Sequence, residues 1–214
     1  KAGTQVPVDA EVELRGDPNP YVSRGGLKLE SAVEEFGFDC EGRTAIDVGA
    51  STGGFTDFLL QHGARHVYAV DVGYGQFAWK LRQDDRVTVI ERTNIREMPE
   101  DAIDEPCDLA VIDCSFISLE LVLPNTLPFL TDDAEIIALV KPQFEAGPEN
   151  VGKGGVVRDE EIRQQTIREV MEMAEELGLE LVDSVDSEVH GPSGNVEHFA
   201  YWRRVSPSAS ASLS

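Results

Sequence analysis

Short apolar segments alternate with amphipathic segments along most of the chain, and this alternation predicts the fold. Five runs rich in Val, Ile and Ala are typical of buried parallel strands, at 44–48, 66–72, 87–91, 109–113 and 135–141. Helical patterns lie before, between and after them, at 23–36, 54–62, 76–83, 118–129 and 159–177. Two further strands, 180–189 and 196–203, are joined by a turn at 191–195 and should therefore be antiparallel. The pattern predicts an α/β, Rossmann-like fold with a mostly parallel sheet and a C-terminal antiparallel hairpin.

The domain organisation follows from the positions where this pattern starts and stops. Residues 1–15 carry a short strand pattern without a core of its own, and we interpret them as the end of a preceding domain. The Gly- and Pro-rich stretch 16–22 is expected to be a linker. One domain should occupy 23–205, and the Ser- and Ala-rich tail 206–214 should be disordered.

Composition and charge narrow the class of protein. The hydrophobic fraction of 41% is ordinary for a globular domain, and no apolar run is long enough to span a bilayer. Cys40, Cys107 and Cys114 lack metal-type spacing, which favours a reduced, cytoplasmic protein. The net charge of −22 should repel a polyanion, and adaptation to high salt is one hypothesis for it. Solvated acidic helix faces are the simpler interpretation.

A glycine-rich turn after the first strand is the candidate cofactor site. A carboxylate at the strand end, Asp47, would repel a pyrophosphate but attract the ammonium or sulfonium of S-adenosylmethionine, which we therefore expect here. Asp71, at the end of the second strand, could accept both ribose hydroxyls. A bare turn without a ligand is the alternative. The full set of predicted cofactor-binding residues is Asp47, Gly49, Ser51, Thr52, Gly53, Gly54, Phe55, Asp71, Val72, Asn94 and Asp113.

Charged residues at two further strand ends make up the candidate chemical site. Asp113 and Lys141 end adjacent parallel strands and should lie within ion-pair distance, and Lys28 and Glu197 could join them. Burial and a second ammonium both favour a neutral lysine that can accept a proton, so we assign Lys141 as the base. Asp113 and Lys28 would adjust the pKa of Lys141 and position its amine. Glu197 would be the acid that orients the charged side chains. A structural ion pair is the alternative, although buried pairs stabilise proteins little.

Basic and aromatic residues near these motifs are candidates for contacts with nucleic acid. The segment 152–158 reads as a mobile loop between a strand and a helix, and it is either a plain connector or an RNA contact. In the second interpretation Lys153 and Arg158 bind phosphates, and Arg24 does the same beside Lys28. Phe116 or Phe144 could stack on a splayed base.

Five motifs together resemble the TlyA-type hemolysin A family, which is similar to the FtsJ-like ribosomal RNA ribose methyltransferases. The likeness runs from about Tyr21 to Arg203 and is carried by YVSRGGLKL, DVGASTGGF, DCSFISL, VKPQFE and GKGGVVRD. It implies a class I methyltransferase fold, 2′-O-methylation of cytidine in ribosomal RNA or ribosomal subunits, and a Lys-Asp-Lys-Glu tetrad at Lys28, Asp113, Lys141 and Glu197. It also implies an N-terminal RNA-binding domain, whose final strand residues 1–15 resemble.

Three other function classes compete with this interpretation. A nicotinamide-dependent oxidoreductase predicts a second glycine at position 51, where the chain has serine. A membrane-lytic hemolysin would need an amphipathic basic helix or a spanning segment, and neither is evident. A catalytically inactive RNA-binding module is disfavoured by the intact tetrad. We expect neither a metal nor a membrane as a partner.

Overall fold

A computed structural model describes residues 7, 19–191 and 194–205, and its central feature is a seven-stranded sheet. The strands are β1 (Thr44–Val48), β2 (His66–Val70), β3 (Val87–Ile90), β4 (Cys107–Ile112), β5 (Leu130–Val140), β6 (Leu179–Asp186) and β7 (His198–Arg204). Their order is β3-β2-β1-β4-β5-β7-β6. The first five are parallel, whereas β7 pairs antiparallel with both β5 and β6. This confirms the predicted fold class.

Helices cover both faces of the sheet because successive strand residues point to opposite sides. The α-helices are α1 (Arg24–Phe36), α2 (Gly54–Gln61), α3 (Trp79–Arg82), α4 (Leu119–Thr126), α5 (Pro142–Glu145) and α6 (Glu160–Glu176). Ala45 of β1 belongs to the core cluster that includes Leu29 of α1 and Phe58 of α2. Its neighbour Ile46 belongs to the opposite cluster, which includes Val122 of α4 and Ile167 of α6. All five residues of β1 are buried, as a central parallel strand requires.

Several predicted boundaries need correction. The predicted helix 76–83 is shortened to α3, because residues 71–78 form an irregular loop after β2. The turn between the last two strands is longer than 191–195, since β6 ends at Asp186 and β7 begins at His198. Strand β5 begins at Leu130, five residues before the predicted start. The predicted segments 1–15 (apart from Pro7), 16–18 and 206–214 lie outside the described residues.

Local sequence signals explain how the helices nearest the site begin and end. Ser23 caps α1 by accepting from the Gly25 amide at 3.2 Å, and Gly37 ends that helix with φ 61°, where a glycine is favoured. Asp159 caps α6 through the Glu161 and Ile162 amides. Gly54 lets α2 approach α1 closely, since a Cβ there would lie 2.2 Å from Ser23 Oγ and 3.1 Å from Gly25 Cα. This close packing places Lys28 beside the first strand–helix turn.

Candidate active site

A cavity of about 670 Å³ opens where the parallel strands end. Ligands of open α/β sheets bind at this edge, outside the carboxyl ends of the strands. The cavity brings together residues from α1, the β1–α2 turn, the ends of β4 and β5, the segment after α5 and the residues before β7. Its lining includes Arg24, Lys28, Asp47, Gly49, Ser51, Thr52, Gly54, Phe55, Asp113, Ser115, Phe116, Lys141, Gln143, Phe144, Gly154, Gly155, Asn195 and Glu197.

The β1–α2 turn is shaped by close approach of its backbone to β4. Gly49 has φ 88°, and a Cβ there would lie 2.7 Å from the carbonyl oxygen of Asp113. Only glycine therefore suits the position sterically. Ser51 is held in the left-handed region at φ 51°, a strained conformation that often marks a binding loop. Gly53, with φ 98°, packs against Leu81 and is not part of the cavity lining.

Asp47 is a fully buried carboxylate with one satisfied oxygen. Its Oδ2 accepts from the amide and the hydroxyl of Thr56, at 3.0 and 2.6 Å. Its Oδ1 is buried and has no hydrogen-bond partner among the described residues. Burial raises the pKa of Asp47 to about 7; the Thr56 bonds oppose this shift and the charge of Asp113 adds to it. A cationic ligand group at Oδ1 would offset this cost.

Besides Gly53, three of the predicted cofactor residues lie outside the cavity lining. Asp71 contacts the turn directly, because its carboxylate accepts from the Ser51 amide at 2.7 Å and from the Gly73 amide at 2.6 Å. The side chain of Val72 is 70% exposed. Asn94 caps a short 3₁₀ helix through the Arg96 amide. The structure thus places Asp71 next to the glycine turn and leaves Val72 and Asn94 farther out.

Two ion pairs join the four residues of the predicted chemical site. Lys141 Nζ lies 2.5 Å from Asp113 Oδ1, as the adjacent strands β4 and β5 require. Lys28 Nζ lies 2.5 Å from Glu197 Oε2, which joins helix α1 to the segment before β7. Lys28, Lys141 and Glu197 are buried, and all four side chains line the same cavity. Residues separated by up to 169 positions in the sequence are therefore brought to one sheet edge.

Further polar residues hold these pairs, and the sequence alone did not identify them. Ser115 Oγ accepts from Lys141 Nζ at 2.9 Å, and Gln143 Nε2 donates to Glu197 Oε1 at 3.2 Å. Both residues stand within motifs singled out above, but a motif does not show which way a side chain points. Gly191 packs so close to Glu197 that a Cβ would lie 2.3 Å from Oε1. A glycine at position 191 is therefore the one sequence signal that could have indicated this close packing against Glu197.

The segment 152–158 is held against the rest of the domain by several contacts. Gly152 and Val156 pair across a tight turn, and Val156 and Val157 are buried. Asn195 fastens the turn, because its side chain accepts from the Val157 amide at 3.1 Å and donates to the Gly155 carbonyl at 2.8 Å. The predicted RNA contacts Lys153, Arg158 and Arg24 are exposed, and Arg24 lines the cavity.

Two aromatic rings stand at the mouth of the cavity. The rings of Phe116 and Phe144 lie 5.0 Å apart, and both residues line the cavity. The side chain of Phe116 is 90% exposed, and its backbone adopts φ 65°, which is rare for a bulky residue. A large apolar ring in water with a strained backbone contributes little to folding. It is better placed for a flat ligand than for the core.

Known proteins share the sequence and the fold of this chain over most of its length. The family of FtsJ-like methyltransferases matches residues 21–204. A 16S/23S rRNA (cytidine-2′-O)-methyltransferase TlyA of Mycobacterium tuberculosis is 52% identical over 86% of this chain and 68% of its own length. Hemolysin A of Brachyspira hyodysenteriae is 42% identical over 85% and 76%. A crystal structure from Lactococcus lactis, described as a candidate hemolysin, superposes with a TM-score of 0.83 at 47% identity over 86% and 88%. The family resemblance inferred from the motifs is confirmed.

Two features of the described part of the chain bear on other function classes. Within residues 19–191 and 194–205, no helix combines the length and apolar character needed to cross a bilayer. In the same part of the chain, no group of three or more His, Cys, Asp and Glu side chains converges as metal ligands would. The charged residues of the cavity are instead arranged as lysine–carboxylate pairs.

Proposed function

Because the chain belongs to the family of FtsJ-like methyltransferases, we propose that it transfers the methyl group of S-adenosylmethionine to a ribose 2′-hydroxyl of ribosomal RNA, at a cytidine. The observation that carries the proposal is the meeting of Lys28, Asp113, Lys141 and Glu197 beside the unpaired oxygen of Asp47. The activity named for the 52% identical relative of Mycobacterium tuberculosis supports the choice of cytidine and of ribosomal RNA.

The cavity fits S-adenosylmethionine by its donor and acceptor groups. Asp47 Oδ1 is a buried acceptor that the methionine ammonium would satisfy, and the glycine turn allows backbone to approach a ligand. Asp71, next to Ser51, is the candidate acceptor for the ribose hydroxyls of the cofactor, with Thr52, Gly54 and Phe55 along the turn. When bound, the cofactor supplies an electrophilic methyl group on a sulfonium.

Lys141, as the neutral amine, is the residue best placed to take the proton of the attacking hydroxyl, and it would become an ammonium paired with Asp113. Its Nζ is held between Asp113 Oδ1 and Ser115 Oγ, so its position is fixed by two contacts. The second ammonium, on Lys28, lines the same cavity and is held by Glu197. Lys28 and Asp113 would orient the ribose so that its oxygen lies in line with the methyl group, an arrangement on which much of the rate depends.

The cavity mouth would receive the RNA. Phe116 and Phe144 offer ring faces on which a splayed base can stack. Arg24, Lys153 and Arg158 are exposed and would bind phosphates. Because these cations are few and the chain carries −22 overall, we expect binding to depend on this local patch rather than on net charge. The assignment of residues 1–15 to a preceding RNA-binding domain stays a prediction.

The test is methyl transfer to purified ribosomal RNA and ribosomal subunits with radiolabelled S-adenosylmethionine, followed by mass mapping. A methylated 2′-oxygen cannot attack its phosphodiester, so the modified site should resist alkaline cleavage. Lys141→Ala should slow transfer at least about a hundredfold while cofactor binding stays within twofold. Arg168→Ala, on the exposed face of α6, is the control. Methylation on a base, or near-normal turnover of Lys141→Ala, would contradict the proposal.

A further inference from the structure

Glu197 is held on three sides and does not face open solvent. Its Oε2 binds Lys28 Nζ at 2.5 Å, and its Oε1 accepts from Gln143 Nε2 at 3.2 Å. Gly191 closes the third side, and the exposed fraction of Glu197 is 0%. Because both oxygens are engaged and the side chain is not exposed, we expect this carboxylate to act on a substrate through the lysine that it positions.

The orientation of the Gln143 amide is determined by Glu197. An ionised carboxylate only accepts hydrogen bonds, so the NH₂ group must face it and the carbonyl oxygen must point away. That oxygen, Oε1, is buried and has no hydrogen-bond partner among the described residues. Leaving a buried acceptor unpaired costs free energy. The side chain is therefore placed at a cost to stability, as is common for groups kept for function.

Helix α5 is attached to its neighbour by Glu145, a different residue from Gln143. Glu145 accepts from Ser118 Oγ at 2.7 Å and from the Leu119 amide at 2.9 Å, which fastens α5 to the start of α4. Pro142 is buried at the first position of the helix. Gln143 takes no part in these contacts and lines the cavity.

Gln143 also lies two residues after Lys141 in the sequence. One short segment therefore carries the amine of the Lys141–Asp113 pair and the amide that holds the Lys28–Glu197 pair. A shift of this segment would change the distance between Lys28 Nζ and Lys141 Nζ. Through Gln143, the spacing of the two pairs is fixed by covalent geometry as well as by contacts.

We infer that Gln143 is a positioning residue for the methyl transfer, which acts through Glu197 to hold Lys28 in the cavity. The inference rests on the proposed function. It predicts that removing the amide donor slows the chemical step without weakening the binding of cofactor or RNA. A residue with a structural role alone would lower the stability instead, and a residue that bound RNA directly would raise the KM.

The test compares Gln143→Leu with wild type in single-turnover transfer from S-adenosylmethionine to ribosomal RNA, with enzyme in excess so that slow variants are still measured. The rate should fall about tenfold, while the RNA KM and the Kd for S-adenosylhomocysteine stay within about twofold. Gln143→Glu, which keeps the shape but replaces the donor, should be slower still, and it serves if the leucine variant does not fold. Gln165→Leu removes a comparable Gln–Glu bond on exposed α6 and should have no effect.

A double-mutant cycle with Glu197→Gln identifies the route of action. If Gln143 acts through Glu197, adding Gln143→Leu to Glu197→Gln should slow transfer by less than about twofold. Losses that multiply, or a Gln143→Leu rate equal to wild type, would overturn the inference. Wild-type protein that leaves no methyl group on ribose would count against the proposed function instead, so the two failures are distinguishable.

Discussion

The buried carboxylate of Asp47 gives the most quantitative prediction. Burial raises its pKa from 3.8 to about 7, so the folded protein without cofactor binds a proton that the unfolded chain has released. A difference of about three pH units corresponds to about 4 kcal/mol, the cost of ionising this group in the folded state. The missing partner at Oδ1 is the structural origin of part of that cost.

The effect on stability follows from the sign of the shift. A carboxyl whose folded pKa is raised stabilises the protein below its unfolded pKa, and this contribution is lost as the pH rises through about 7. Asp47→Asn cannot ionise and escapes the loss. Relative to wild type, the cofactor-free variant should gain up to about 1.4 kcal/mol per pH unit between about pH 4 and 7, and no more above it. Urea unfolding from pH 5 to 8.5 measures the difference.

The effect on cofactor binding has the opposite sign. Only the ionised carboxylate pairs with the ligand ammonium, so the affinity for S-adenosylhomocysteine should weaken about tenfold per pH unit below 7. Asp47→Asn should bind far more weakly and without this dependence, which separates the titration of Asp47 from that of the ligand amine. Methylthioadenosine, which has no amino acid portion, should bind wild type with little pH dependence. Calorimetric titration gives all three curves.

The matched control is Asp108→Asn, at the opposite end of the sheet. Asp108 also accepts from a backbone amide, that of Thr44 at 3.0 Å, but it does not line the cavity. That variant should keep the wild-type pH dependence of binding. Equal affinities of wild type and Asp47→Asn at pH 8, or parallel pH curves for the two, would refute the reasoning.

Three further predictions rest on other features of the molecule. Gly191→Ala places a Cβ against Glu197 Oε1 and should slow transfer more than tenfold with unchanged cofactor Kd; normal transfer would show that Glu197 can shift freely. Phe116→Ala should raise the RNA KM by about tenfold and change stability by less than about 0.5 kcal/mol, whereas exposed Trp79→Ala should leave the KM unchanged. With a net charge of −22, the melting temperature should rise between 0.1 and 1 M KCl, as the Debye length falls from about 10 to about 3 Å, and a fall would argue against salt adaptation.

The sequence predicted the fold well because its signals were local and repeated. Strand β1 was predicted to the residue, since Ala45, Ile46 and Val48 form a short apolar run that ends at a glycine turn. Helix α1 was predicted to within one residue, and its N-cap in the structure is Ser23. Prediction failed for β5, whose first half carries the exposed residues Asp132 and Asp133 and so lacks an apolar run. It also failed where loops are held by distant contacts, as Asn195 holds the segment 152–158.

The ion pairs were predictable for a topological reason, whereas their supporting contacts were not. Adjacent parallel strands end at one edge, so the pairing of Asp113 with Lys141 follows once β4 and β5 are neighbours. The contact of Lys28 with Glu197 has no such basis in the strand order, and the family resemblance predicted it instead. The orientations of Ser115 and Gln143 depend on side-chain packing that no sequence period encodes.

Residues that line the cavity show two features that lower the stability of the fold: buried oxygens without a hydrogen bond, and positive φ angles. Asp47 and Gln143 each bury an oxygen without a hydrogen bond among the described residues, and Ser51 and Phe116 hold positive φ angles beside them. Each feature destabilises the folded state, and all four residues line one cavity at the carboxyl ends of the strands. If strained residues and unpaired acceptors were spread evenly over the molecule, they would not indicate a functional site. Among the described residues the same features also occur outside the cavity, at Arg92, Thr131 and Trp202. The four that gather around two lysine–carboxylate pairs are what a site preorganised for a cationic cofactor and a nucleophile requires.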